Sequence, residues 1–341
     1  MSSFKPFYND WIDCSSLFEL TNYQKDKPCL INTNLSADFY KNLRFDAESL
    51  KSYRIDAVYK CAEMLGDNPA LTFSGGIDSQ CMLQAWKESG LNFKVYTLVF
   101  KNDLNIQDVT NARKYCKEQN IQLHEIELDV VNFLSRENYD YGIKYQSASP
   151  HYNVHYKMYD ILANMNHTGV CSGGNSIVHS QNDYGVAFTK NTLNFINYFK
   201  ISSFPCQGSF LSFTPEIAWS ICLLSEDIGL DIDLFKNKSS IFRNIDQTTK
   251  NNIDNRVYKI KTNGYIRMGF NIIPQDKKYT GFELVKKYFE SLTGDPWEFE
   301  RRFRHPLEKI IKPIDWCKLN LDNDSLNSIK LVYMNNFGSS N

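Results

Sequence analysis

The sequence predicts an α/β fold, a doubly wound parallel sheet followed by a mostly helical C-terminal half. Three observations lead there. Helix-like and strand-like stretches alternate through residues 50–130, one strand breaks into the glycine turn Ser74-Gly75-Gly76, and helix-like segments outnumber strands beyond residue 190. Such alternation implies parallel strands joined by crossover helices, because a tight hairpin cannot connect parallel neighbours.

Residues 1–46 mix aromatics, Asn and Asp without sustained periodicity and read as an N-terminal extension of loops and short elements. From Ala47 to Met64, Leu50, Tyr53, Ile55, Val58, Ala62 and Leu65 recur at roughly helical spacing, and Gly66, Asp67 and Pro69 supply a stop. Ala70-Leu71-Thr72-Phe73 reads as a buried strand feeding the turn. Cys81, Met82, Ala85 and Trp86 then share a helical face closed by Gly90. Phe93 to Phe100 alternates as a strand and ends at Lys101-Asn102-Asp103. Ile106, Val109, Ala112 and Cys116 mark a helix over Asn105 to Asn120, and Ile121 to Leu128 is strand-like.

Further on, Val154 to Met165 reads as a helix and Thr168 to Cys171 as a strand that enters a second glycine turn, Ser172-Gly173-Gly174-Asn175. Pro215 to Leu224, Thr280 to Leu292 and Trp297 to Arg304 read as helices. The chain thus divides into the extension 1–46, a core 47–190 and a mostly helical region 191–341.

With 38 Lys+Arg against 39 Asp+Glu, the 341 residues carry a formal charge of -1, which excludes a globally basic nucleic-acid binder. No basic n-region opens the chain, and the longest apolar stretch, near Ile217 to Leu224, is far short of the roughly 20 residues a membrane span needs. A soluble, cytoplasmic protein is expected. Nine cysteines without a CxxC pair suit a reducing compartment and argue against tetrathiolate zinc or iron–sulfur sites. Cys81, Cys116 and Cys222 lie on apolar faces and read as core residues.

The chemistry-bearing feature is Phe73-Ser74-Gly75-Gly76-Ile77-Asp78-Ser79. Consecutive glycines let backbone N–H groups approach an anion, and the following helix directs its positive end at the same point. Ser74 and Ser79 add hydroxyls. Asp78 would repel a phosphate unless a cation lies between them, and Mg²⁺ is the expected cation. The turn is neither G-x-x-x-x-G-K-[ST], lacking the lysine, nor G-x-G-x-x-G.

It resembles the SGGxDS signature of the PP-loop, or N-type, ATP pyrophosphatases, an adenine nucleotide alpha-hydrolase-like superfamily, matching at Ser74, Gly75, Gly76, Asp78 and Ser79. The resemblance covers about residues 50–185. It implies that the loop grips the β and γ phosphates of ATP, with Asp78 as metal ligand, and that AMP is placed on a substrate while pyrophosphate leaves. Within the family the chain looks most like the synthetase domain of asparagine-synthetase-like amide-forming enzymes, because a helix leads into the loop strand and a second glycine turn follows a later strand. By that resemblance Gly173 and Gly174 flank the pyrophosphate. The pattern departs at Asn175-Ser176, where the family is acidic, and no carboxylate follows until Asp183.

The start Met1-Ser2-Ser3 lacks the nucleophilic cysteine of glutamine-dependent members, so no glutaminase is expected in this chain. The amine would come from solvent, a separate amidotransferase subunit or the substrate. Adenylation also needs a basic group at the α-phosphate, and in amide-forming relatives a lysine of the C-terminal half has this duty. Lys278 is the candidate, ahead of Lys277, Arg256 and Arg267.

His151 and His155 stand i, i+4 on a helix but lack the HExxH glutamate, and read as site-wall or surface residues. Alternating charges over Trp297 to Arg304 read as a salt-bridged helix face. The favoured expectation is an AMP-forming ligase acting on a small-molecule acceptor and an amine donor. Base modification of nucleic acid and a catalytically silent nucleotide-binding protein are the rival readings.

Overall fold

The computed structural model describes residues 39, 42–44, 46–66, 68–172, 198, 201–202, 210–218, 270, 273 and 281–311, and the backbone of 29–32, 176–179, 184–188 and 206–207. In chain order the elements are β1 (Cys29–Asn32), α1 (Ala47–Leu65), β2 (Pro69–Thr72), α2 (Ile77–Ser89), β3 (Lys94–Phe100), α3 (Ile106–Glu118), β4 (Leu123–Leu128), α4 (Val130–Arg136), α5 (Asn138–Tyr145), α6 (Pro150–Asn164), β5 (Thr168–Cys171), β6 (Ser176–His179), β7 (Tyr184–Phe188), β8 (Cys206–Gln207), α7 (Glu283–Thr293) and α8 (His305–Ile310).

Five strands form a parallel sheet in the order β4-β3-β2-β5-β8. Its core follows from strand periodicity. Ala70, Tyr96, Leu98 and Phe100 point to one face, where they join Phe133, Tyr145, Val154, Tyr159 and Leu162 of α4 to α6. Leu71, Phe73 and Val95 point to the other, where they meet Val58, Cys61, Met82, Trp86, Ala112 and Cys116 of α1 to α3. The chain runs from β2 through β3 to β4 with both crossovers on the second face, then crosses the first face to place β5 on the far side of β2. Reversing the direction of strand addition while keeping right-handed crossovers moves the helices to the opposite face, which is what makes the sheet doubly wound. The expected fold class is therefore observed.

The helix ends follow local chemistry. Asp46 caps α1 by accepting from the Ser49 N–H at 2.9 Å, which with the Ser49 hydroxyl holds its carboxyl below the usual range. α2 ends on Gly90 in the left-handed conformation. α6 begins at Pro150 and not at Val154, since proline suits a first helical position while the apolar spacing starts a turn later. α4 and α5 are too short for apolar periodicity to reveal, and α4 is set by its Asp129 cap. β1, β6 and β7 form a separate antiparallel sheet in the order β1-β7-β6, with Cys29 opposite Phe188, a pairing that no local pattern announces.

α7 starts at Glu283, after Gly281 at φ +81° and Phe282, and not at Thr280. Phe282, Val285, Phe289, Phe299 and Phe303 pack into the same core as α4 to α6. The helix expected over Trp297 to Arg304 is observed, widened to a π-helix over Glu300–Arg304 that continues into α8. It is salt-bridged as expected: Lys286 Nζ lies 2.6 Å from Glu300, Arg304 Nε lies 2.9 Å from Glu308, and Arg301 pairs with Asp295. Of the helix expected over Pro215 to Leu224, residues 215–218 are helical and the rest lies outside the described residues. No helix among the described residues is long and apolar enough to cross a membrane.

Candidate functional site

In an open parallel sheet a ligand crevice forms beyond the carboxyl ends of the strands where strand order reverses. Here that point lies between β2 and β5, and the register sets Thr72 opposite Cys171, so both strands end side by side. β2 continues one residue further, the Phe73 N–H donating to the Tyr96 carbonyl at 2.8 Å, before the chain turns through Ser74, Gly75 and Gly76 into α2.

Each glycine has a reason. Gly75 sits at φ +74°, and a Cβ there would lie 2.6 Å from the Ala112 nitrogen and 2.9 Å from the Asn111 carbonyl carbon of α3, so both backbone angle and space demand glycine. Gly76 caps α2 without a side chain, leaving the helix's first N–H groups without a side-chain acceptor from the cap. The Gly76 N–H points to Ser74 Oγ at 3.3 Å, Ser74 Oγ lies 3.2 Å from Ser79 Oγ, and the Ser79 hydroxyl donates to the Gly76 carbonyl at 2.8 Å. Ser79 is buried, while Ser74 and Asp78 are exposed. The loop therefore presents the Ser74 hydroxyl and the Asp78 carboxylate toward solvent at the positive end of a helix, with the Gly76 N–H and the buried Ser79 hydroxyl bonded beside them, equipment that suits a metal-assisted polyphosphate site.

Three neighbours escaped the sequence reading. Gln80, 2% exposed, donates from Nε2 to the Gly75 carbonyl at 3.0 Å. Asn105 bridges β3 and α3, accepting from the Phe100 N–H and donating to the Leu98 carbonyl, each at 2.8 Å. Asp108, one turn before the Asn111–Ala112 contact with Gly75, has its carboxyl pushed up to about 6 by burial and by the Glu283 carboxylate. A Cβ on Gly281 would lie 2.9 Å from Asp108 Oδ2, so the entry to α7 rests on this carboxyl. An acidic residue in a first helical turn is too common to single out Asp108, whereas a long amide facing a glycine turn could have drawn notice to Gln80.

The histidine expectation needs correction. His151 is not a surface residue: its ring lies 4.0 Å from that of Phe282 and stacks 6.0 Å from that of Phe299. Burial holds His151 down at about 3 and His155 at about 4. Both are half-buried neutral imidazoles, and no group of three His, Cys, Asp or Glu among the described residues could hold a metal ion. Cys81 and Cys116 are buried as expected, and burial pushes the Cys116 thiol up to about 12. Cys222 lies outside the described residues.

Ser74, Gly75, Gly76, Asp78 and Ser79 thus form one loop. Gly173, Gly174, Lys277, Lys278, Arg256 and Arg267 lie outside the described residues.

No family model matches the chain, and no curated protein matches it. Among solved structures it is similar to an NH3-dependent NAD synthetase from Campylobacter jejuni, at 17% identity over 68% of this chain and 100% of that one, with a TM-score of 0.31. A glutamine-dependent NAD+ synthetase from Acinetobacter baumannii in complex with ADP shares 12% identity over 70% of this chain and 48% of its own, at a TM-score of 0.33. An NMN synthetase from Francisella tularensis shares 13% over 68% and 100%, at 0.32. Likeness at this level assigns neither family nor substrate, and the functional reading rests on the loop.

Proposed function

We propose that this chain is an adenylating enzyme of the PP-loop ATP pyrophosphatase type, which cuts ATP to AMP and pyrophosphate to activate a carboxylate or carbonyl for attack by an amine. The observation that carries the reading is the convergence of the Gly76 N–H, the Ser74 and Ser79 hydroxyls and the start of α2 at the switch point of the sheet.

In this reading the loop binds the β and γ phosphates, and Gly173 and Gly174 flank the same group. Asp78, exposed in the first turn of α2, suits an ion that takes one carboxylate and completes its shell from phosphate oxygens and water. Magnesium, when bound, supplies the positive charge that lets a carboxylate and a polyphosphate share one site. A substrate oxygen attacks the α-phosphorus in line, the bond to the bridging oxygen breaks, and pyrophosphate leaves with the electron pair. The amine then attacks the activated carbon, loses its proton and expels AMP. Lys278 neutralises charge at the α-phosphate. The loop's contribution is to hold the leaving group in place before reaction.

The test joins calorimetry of Mg·ATP binding with chromatography of the nucleotide products. Asp78→Ala should weaken Mg-dependent binding at least about tenfold, equivalent to about 1.4 kcal/mol, and turnover should yield AMP and pyrophosphate. Equal affinity in both proteins, or ADP as the main product, overturns the reading.

A further inference from the structure

Gln80 makes no contact with solvent that would explain an amide at this position. It is 2% exposed, in the first turn of α2, and every hydrogen bond of its side chain runs to main chain. Nε2 donates to the Gly75 carbonyl at 3.0 Å and to the Ile273 carbonyl at 3.2 Å, while Oε1 accepts from the Ile273 N–H at 2.8 Å. The orientation of the amide is determined by this set. Turned over, it would set an oxygen against two carbonyls and an NH₂ against an N–H.

The consequence concerns the peptide between Gly75 and Gly76. A trans peptide is planar and its C=O and N–H point in opposite directions, so holding the Gly75 oxygen inward turns the Gly76 N–H outward, to the side of the Ser74 and Ser79 hydroxyls. Between two glycines the reverse orientation costs little, because neither residue has a Cβ to resist it. Reversed, the peptide would present a carbonyl oxygen to the anion and repel it. Something must choose, and the donor on the inner side is Gln80.

The second half of the device is Ile273, which offers both its N–H and its C=O to the same side chain, as one strand residue does to another. Three residues earlier Phe270 is 1% exposed, packed in the core with Phe73 and Trp86 and lying 4.5 Å beneath the Arg54 guanidinium, itself paired with Glu88 of α2 at 2.8 Å. The chain at 270 and 273 is therefore docked on α1 and α2 and bonded to the loop through one amide.

We propose that Gln80 is the positioning residue of this site, holding the Gly75–Gly76 peptide in its anion-accepting orientation and making that orientation depend on the docking of Ile273. The proposal rests on the polyphosphate reading of the loop. It adds that affinity for the phosphate group is controlled from a segment distant in sequence, through a side chain that never touches the ligand.

The experiment uses the full chain with Gln80→Met, of similar length but without donor or acceptor, and Gln80→Glu. Amide hydrogen exchange without nucleotide should show the Ile273 N–H exchanging at least about tenfold faster in Gln80→Met, and Mg·ATP should bind at least about tenfold more weakly. Gln80→Glu should behave like Gln80→Met at pH 8, where an ionised carboxylate faces two carbonyls. On lowering to pH 6 the protonated acid regains one donor, and its affinity relative to wild type at the same pH should recover, a response that loss of packing alone would not produce. Unchanged Ile273 exchange in Gln80→Met overturns the clamp. Faster exchange with wild-type Mg·ATP affinity, or no recovery of Gln80→Glu at pH 6, overturns the positioning role. Failure of the wild type to bind Mg·ATP overturns the polyphosphate reading, and the exchange measurement then decides the clamp alone.

Discussion

Gly75→Ala tests how tightly the loop is held against α3, and Gly90→Ala provides the control. The two glycines share a backbone angle, φ +74° and +73°, so an added methyl meets the same intrinsic strain at both, about 1–2 kcal/mol for an L-residue in that region. Alanine also reduces the freedom of the unfolded chain equally in both variants, and that contribution cancels in the comparison. What differs is space. At Gly90 nothing lies within 4 Å of the new Cβ, whereas at Gly75 it meets backbone atoms of Ala112 and Asn111 at 2.6 and 2.9 Å. Backbone in the middle of a helix cannot swing aside as a side-chain tip can, so the loop or the helix must shift, at an overpacking cost of about 1–3 kcal/mol. Gly90→Ala should therefore lose about 1 kcal/mol and Gly75→Ala about 2–4 kcal/mol, read from urea midpoints at constant m-value. Mg·ATP binding should survive in the first and fail in the second. A Gly75→Ala protein within about 0.5 kcal/mol of Gly90→Ala, below the overpacking range, would refute the close contact between loop and α3.

Stability should fall on the acid side. His151 and His155 titrate at about 3 and 4 in the fold against an ordinary 6.5, so the unfolded chain binds more protons as the pH drops below 6.5, and each half-buried ring costs about 1–2 kcal/mol by pH 5. Asp108, raised to about 6, works the other way and returns about 1 kcal/mol over the same interval. Denaturation at pH 8 and pH 5 should show a net loss of about 2 kcal/mol, smaller in His151→Phe and larger in Asp108→Asn; an identical pH dependence in all three would contradict these environments. Lys278→Ala should bind ATP nearly normally yet lose roughly 10²-fold in kcat, and full activity in the mutant would move the charge-stabilising role to Arg256 or Arg267.

The parallel sheet was legible because its signals are local. Ala70-Leu71-Thr72-Phe73 is apolar and short, Gly75-Gly76 ends it, and Cys81, Met82, Ala85 and Trp86 repeat at helical spacing before Gly90. α4 and α5 were not legible, since seven and eight residues span too few turns for a periodic stripe to emerge. His151 misled for a related reason: i, i+4 spacing places it on one helix face with His155, but whether its ring meets solvent or Phe282 and Phe299 depends on residues more than a hundred positions away.

The same division runs through the site. Ser74, Gly75, Gly76, Asp78 and Ser79 are neighbours in sequence, and a strand, a glycine turn and a helix start suffice to gather them into one loop, so the sequence by itself determined the loop and the chemistry it favours. Which way its central peptide faces is another matter. That choice belongs to Gln80 acting with Ile273 and to Ala112 pressed against Gly75, contacts that join residues 193 and 37 positions apart. Local propensity acts over one or two turns of chain, and it carries no information about which distant backbone atoms a folded core brings within hydrogen-bonding distance. Only the tertiary structure could decide them.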